Sequence, residues 1–207
     1  IQKQFPSIII SVLTGPTFAD EIAKNQPAAA IVASKELTHA QSICQLFHNS
    51  NLRLYPSDDT KGASIAGAVK NIIAIGAGII QGLGLGDNAK AALITRGISE
   101  TSSLIEKLGG NPKTAFGLAG IGDMSLTCSG PHSRNMAYGM QITKDINADP
   151  QDLVEGLNAI EAAINLSKKL NLELPIIFAI NKIIKRETSI EETIKQLFSR
   201  PISNEFK

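Results

Sequence analysis

Between Lys61 and Asp87 the chain runs through residues 62–86, GASIAGAVKNIIAIGAGIIQGLGLG, with a single charge among them, Lys70. Apart from Ser64, Asn71 and Gln81, every other side chain there is Gly, Ala, Ile, Val or Leu. Such a stretch can settle as a helix packed on all sides by protein, or as a membrane span, for which about 20 apolar residues suffice. A lysine at the centre of a span adds about 2.5–3.5 kcal/mol to insertion. No second segment of this kind accompanies it, so a buried core helix is the expectation. On that helix Lys70 is flanked at three and four residues by Ala66, Gly67, Ile73 and Ala74. These groups keep water away without offering polar partners, and burial disfavours the charged form of lysine. An amine so placed suits proton exchange with an alcohol or carbonyl oxygen. The competing reading is a structural lysine whose stem lies on the core while its ammonium reaches solvent.

The 207 residues are enough for one large or two small domains. A formal net charge of +1 provides no broad attraction to nucleic acid or anionic lipid. Cys44 and Cys128 lack metal-ligand spacing, and His39, His48 and His132 cluster neither with them nor with one another, so no metal site is expected. The cysteine usage and the lack of a recognisable secretory signal in this sequence favour a reducing cytoplasm.

Residues 7–14, 28–33 and 52–55 are short, apolar and β-branched or bounded by turn residues, and read as strands. Short helices are expected over 17–25 and 35–48. Beyond Asp58-Asp59 strand alternation ceases, and helices are expected over 59–81, 88–108, 133–141, 151–170, 175–186 and 190–198. Asp87-Asn88 suits a helix start, Gly109-Gly110 a stop, Pro175 a first turn, and Ser189 with Glu192 a capping box. The expected architecture is a partial α/β unit, residues 1–56, followed by an all-helical domain, residues 57–207.

Gly76, Gly78, Gly82, Gly84 and Gly86 superficially resemble a dinucleotide fingerprint, but G-x-G-x-x-G from Gly76 requires glycine where Gln81 stands, and no strand precedes it. Close helix packing followed by a turn is the better reading. A stronger anion candidate is Ser133-Arg134-Asn135 in GPHSRNMAYG. Ser133 can cap a helix whose first N–H groups favour an anion, Arg134 adds a planar fork, and Asn135 adds side-chain donors. An ordinary helix start with a surface arginine competes with that reading. Asp123, alone among small and apolar residues in GLAGIGDMSLTC, could pair with a buried ammonium or simply cap a turn.

TGPTFADEIA at 14–23, GAVKNIIAIGAGIIQGLGLGDNAKAALITRG at 67–97, GLAGIGDMSLTC at 117–128, SRN at 133–135 and VEG at 154–156 together resemble bacterial-type NAD(P)-dependent glycerol-3-phosphate dehydrogenase. The resemblance implies a Rossmann-type remnant followed by a helical substrate domain like the C-terminal domain of 6-phosphogluconate dehydrogenase. It implies interconversion of sn-glycerol 3-phosphate and dihydroxyacetone phosphate with NAD or NADP, supplying glycerophospholipid synthesis in the cytoplasm. By the same resemblance Lys70 falls on the proton acceptor, Asp123 beside it, and Ser133, Arg134 and Asn135 on substrate-binding positions. Gly15 and Thr17 match substrate contacts, while Ala19, Arg134, Leu153 and Glu155 match positions near the dinucleotide. Asn71 and Thr127 lie in the active-site blocks as supporting residues. A homodimer is compatible with such enzymes, whereas nucleic acid and a membrane span are not expected.

Two departures accompany the resemblance. The strand–GxGxxG–helix that opens this family's dinucleotide domain does not occur in this sequence, nor does a further substrate-contacting lysine that the family places there, so these residues alone are expected to turn over little. Met136 stands where relatives often carry a basic residue. Two other readings remain: a dehydrogenase with a similar helical domain acting on a carboxylate or acyl thioester, and an inactive, dehydrogenase-derived helical dimerisation or binding module.

Overall fold

The computed structural model describes residues 4–5, 7–130, 132–150, 152–202 and 204–205. Its strands all precede Asp58. β1 (Ser11–Thr14) runs antiparallel to β2 (Ala28–Ser34), with Thr14 opposite Ile31, and α1 (Ala19–Ala23) lies between them in sequence. β2 then pairs in parallel with β3 (Leu52–Ser57) through the crossover helix α2 (Leu37–Leu46). Ala30, Val32, Ala40 and Leu54 form the small core of this unit. β1 is shorter than the expected 7–14. Ser11 pairs with Ser34, the last residue of β2, so the preceding residues have no opposite strand to extend the ladder.

α3 (Thr60–Gly82) is the axis of the remainder. Asp59 caps it, its carboxylate accepting the Gly62 N–H at 2.9 Å through Oδ1, and Oδ2 accepting Asn111 N–H at 3.0 Å and the Thr114 hydroxyl at 2.6 Å. Ala66, Ile72, Ile73 and Ile75 are fully buried, each isoleucine contributing about 1.5–3 kcal/mol by removal from water. The wall around α3 is protein: α4 (Asp87–Lys107), α6 (Arg134–Lys144), α7 (Glu155–Leu170) and α8 (Pro175–Ile184) all pack on it. By length and composition α3 is apolar enough to cross a membrane, and here it is the core helix instead. The glycines explain how the neighbours come so close. A Cβ on Gly78 would lie 2.1 Å from the Met136 carbonyl oxygen, and one on Gly139 2.1 Å from that of Ile75, so α3 and α6 meet backbone to backbone. Gly84 and Gly86, at φ +65° and +85°, form the turn into α4.

Several helix boundaries differ from the expectation. α4 starts at Asp87 with Gly86 in the cap position, so the acid sits in the first turn and bonds Lys90 rather than capping. It ends at Lys107, and Gly109 at φ +74° turns the chain, with Gly110 N–H returning to the Ile105 carbonyl. α7 starts at Glu155 and not at 151, because Val154 is extended; Gln151 lies outside the described residues. α9 (Ile190–Phe198) is capped by Ser189, but only half of the box forms: the Glu192 carboxylate accepts from Gln196 instead of reaching back. Residues 112–127, where no element was expected, hold a 3₁₀ helix (Pro112–Phe116), a π turn (Leu118–Gly122) and α5 (Asp123–Thr127). At the other end of the bundle Glu100 of α4 is buried, its carboxylate accepting the N–H groups of Ile176 at 2.6 Å and Ile177 at 3.1 Å in the first turn of α8.

Candidate active site

Lys70 leaves α3 midway along its length, and the structure does not enclose it in apolar groups alone. Its side chain is 22% exposed, and its Nζ bonds the Asp123 Oδ2 at 2.7 Å. The residues at three and four positions offer no polar partner, as expected, but the amine meets a carboxylate from outside the helix. Asp123 is almost wholly buried, so removing either partner strands the other in a poorly solvated place. Its position is set by the turn before α5: a Cβ on Gly120 would lie 2.0 Å from the Ala115 carbonyl oxygen, so only glycine lets this segment pack. Thr14, at the end of β1, donates to Asp123 Oδ2 at 3.3 Å, and Thr127 donates to the Asp123 carbonyl oxygen at 2.6 Å.

Lys70 and Asp123 open into a cavity of about 270 Å³ between the end of β1 and the helices. Gly15 and Thr17 form one wall, the Thr17 hydroxyl bonding the Gly15 carbonyl. Asn71, Thr127, Ser133, Arg134, Asn135 and Glu155 also line the cavity. Ser133 caps α6, its Oγ accepting the Met136 N–H. Met136 itself turns into the core, 3% exposed, so its apolar character takes nothing from the cavity. Arg134 donates to Glu155 Oε1 at 2.5 Å, with both side chains half-exposed at the rim.

Asn135 differs from the expectation that its amide offers donors to an anion. Its Nδ2 donates to Asn71 Oδ1 at 3.0 Å and to Glu155 Oε2 at 3.4 Å, and its Oδ1 accepts the Gly156 N–H at 2.9 Å. These bonds join its side chain to α3 and α7. Ala19 and Leu153 do not line the cavity; Ala19 is exposed at the start of α1, and Leu153 is 64% exposed before α7.

The cavity also holds residues that the sequence did not single out: Leu13, Thr14, Phe18, Leu126 and His132. The Phe18 and His132 rings, 5.5 Å apart, bring the segment after β1 against the one before α6. Thr14 and Phe18 flank the GPT turn and could have been found there; Leu13, Leu126 and His132 have no local signal. Among the described residues no group of three or more His, Cys, Asp or Glu could hold a metal.

A family profile described as the NAD-dependent glycerol-3-phosphate dehydrogenase C-terminus matches residues 59–195. A glycerol-3-phosphate dehydrogenase [NAD(P)+] of Gluconobacter oxydans is 43% identical over 99% of this chain, and one of Francisella tularensis subsp. novicida is 42% identical over 97%. The chain spans 65% and 62% of the lengths of these two relatives. A crystal structure of glycerol-3-phosphate dehydrogenase from Coxiella burnetii superposes with a TM-score of 0.88 at 33% identity, covering 96% of this chain and 63% of that one. A Plasmodium falciparum structure, at 20% identity and a TM-score of 0.87, shares the fold.

Proposed function

The chain belongs to the NAD-dependent glycerol-3-phosphate dehydrogenase C-terminal family, and on that premise we propose that its protein interconverts sn-glycerol 3-phosphate and dihydroxyacetone phosphate. The observation that carries this reading is one cavity lined both by the Lys70–Asp123 pair and by the capped N-terminus of α6 with Arg134. A phosphate held by Arg134 and the first N–H groups of α6 directs a short substrate towards Lys70. Lys70 Nζ exchanges a proton with the oxygen on C2: it stabilises negative charge as a ketone is reduced and takes the hydroxyl proton as an alcohol is oxidised. Asp123 holds the amine in place, and Thr14 and Thr127 hold Asp123. Binding energy at the phosphate fixes the reacting carbon, which is where rate is gained.

The residues present fit the reacting end of a dinucleotide. The Glu155 carboxylate is 39% exposed at the cavity rim, an acceptor suited to ribose hydroxyls, and Leu153 presents an uncovered apolar side chain two residues earlier. Together with Arg134 and Ala19 they would hold NAD or NADP, which when bound supplies the hydride acceptor or donor. In this reading the protein works in the cytoplasm, supplies the backbone of glycerophospholipids and assembles as a homodimer. The test is oxidation of NADH or NADPH by the full-length protein with dihydroxyacetone phosphate. Activity that Lys70→Ala lowers by about 10²–10⁴-fold supports the assignment. Full activity in that variant, or none in the wild type, refutes it. The 207 residues expressed alone, which contain no GxGxxG turn, are expected to bind dinucleotide weakly.

A further inference from the structure

We infer that Thr14 is a positioning residue, which aims the Lys70 amine through Asp123 and sets that aim from the sheet unit. The inference rests on the reading above that Lys70 exchanges a proton with the substrate oxygen. Lys70 Nζ and the Thr14 hydroxyl converge on one carboxylate atom, Asp123 Oδ2, at 2.7 Å and 3.3 Å. Thr14 belongs to the other part of the molecule: it ends β1, opposite Ile31 of β2. Away from the connecting residues 57–60, this is the one hydrogen bond between the sheet unit and the helical domain among the described residues. The last torsion of an aspartate has broad preferences, so the bonds its oxygens accept decide which way the carboxylate faces. The Thr127 hydroxyl bonds the Asp123 carbonyl at 2.6 Å and lies 3.4 Å from Oδ1, which leaves Thr14 as the second donor beside Lys70 at Oδ2.

Both sides of this contact are held. A Cβ on Gly15 would lie 2.8 Å from the Ala30 Cα, so the chain just after Thr14 is pressed onto β2 and moves with the sheet. A Cβ on Gly67 would come to 3.4 Å from the Thr14 Oγ1, which places the hydroxyl against α3 one turn before Lys70. Asp123 is 3% exposed, so water has little access to take over as donor. With the Thr14 hydroxyl removed, the carboxylate is free to turn, and the amine bonded to it moves off the oxygen whose proton it exchanges. A misplacement of about 1 Å at a reacting group costs about 10²-fold in rate, while substrate binding made elsewhere in the cavity changes little.

The test is steady-state kinetics of the full-length protein with dihydroxyacetone phosphate and reduced dinucleotide. Thr14→Val keeps the shape and removes the hydroxyl, whereas Thr14→Ser keeps the hydroxyl. Thr14→Val should lower kcat by about 10-fold or more with both KM values changed by less than about threefold, and Thr14→Ser should stay within about threefold of the wild type. With dinucleotide deuterated at the transferred hydride, the isotope effect on kcat in Thr14→Val should be at least as large as in the wild type, because it is the chemical step that slows. In an Asp123→Ala background Thr14→Val should change kcat by less than about twofold, since its effect passes through the carboxylate. The inference fails if Thr14→Val has the wild-type kcat, or if Thr14→Ser is as slow as Thr14→Val. It fails equally if the isotope effect drops, or if the loss persists without Asp123. A tenfold or greater rise in KM with kcat intact would also sink it, because Thr14 would then touch substrate directly. An inactive wild-type protein would instead overturn the dehydrogenase reading itself.

Discussion

Replacing Glu100 by glutamine tests whether burial or hydrogen bonding governs an acid that has no part in the proposed chemistry. Burial pushes the Glu100 carboxyl from its ordinary 4.5 up to about 7; the Ile176 and Ile177 N–H groups, then Arg96 and Arg200, pull the other way without prevailing. A carboxyl lifted that far corresponds to about 3 kcal/mol between its two protonation states. At a pH below 4.5 the group is protonated in folded and unfolded chains alike. Between there and about 7 the unfolded chain releases the proton while the folded one retains it, so stability falls as pH rises. Glutamine cannot ionise and keeps the shape, but it turns an amide group towards one of the two N–H donors, which costs about 1–3 kcal/mol at any pH. Urea unfolding followed by circular dichroism at about pH 5 and about pH 8 yields both stabilities. The variant should gain on the wild type by about 2.5 kcal/mol between the two conditions. A stability difference that does not change with pH refutes the reasoning. Movement in the opposite direction would mean that the start of α8, acting as an anion site, outweighs burial.

Arg134→Ala should lower kcat/KM for the triose phosphate by about 10²-fold or more, through a lower kcat as well as a higher KM, read by dinucleotide oxidation, since binding energy at the phosphate is what places the reacting carbon. Asp59→Ala should lower stability by about 2–4 kcal/mol in urea titrations, because the α3 cap and two further hydrogen bonds from Asn111 and Thr114 end on one carboxylate. Gly139→Ala should cost about 1–3 kcal/mol by overpacking against the Ile75 carbonyl, and unchanged unfolding would show that α6 can slide. The Cys128 thiol is fully buried and pushed up to about 12, so a thiol reagent at neutral pH should reach it only after unfolding, while the partly exposed Cys44 reacts in the folded protein.

Much of this architecture was legible because it follows from local rules. The apolar run around Lys70 specifies a core helix, the turn to strands before Asp58 shows in β-branched composition, and Ser133 and Ser189 cap helices as their types dictate. Residues 112–127 were not legible: three helical pieces of five residues each are too short for periodicity to register, and their glycines are chosen by contacts such as Gly120 against Ala115. In the site, residue types singled out Lys70, Asp123 and Arg134, which the structure brings to one cavity, but not who bonds whom. The sequence could not show that Asn135 spends its amide on Asn71 and Glu155, or that Thr14 supports Asp123 from 109 residues away. Glu100 left a trace that went unread, a lone acid on the face of α4 that also carries Gly97, Thr101 and Leu104.

The bare meeting of α3 and α6 at Gly78 and Gly139 has a bearing on how such a protein could be redirected to new substrates. That seam holds no side chain to trim, so the spacing of α3 and α6 there is set by backbone contact. Room for a bulkier or differently shaped compound has to come from elsewhere in the lining, where Thr17, Phe18 and His132 present replaceable groups. Under the proposed dehydrogenase reading, laboratory evolution towards larger phosphorylated alcohols should therefore accumulate its changes at those three positions and leave the two glycines untouched.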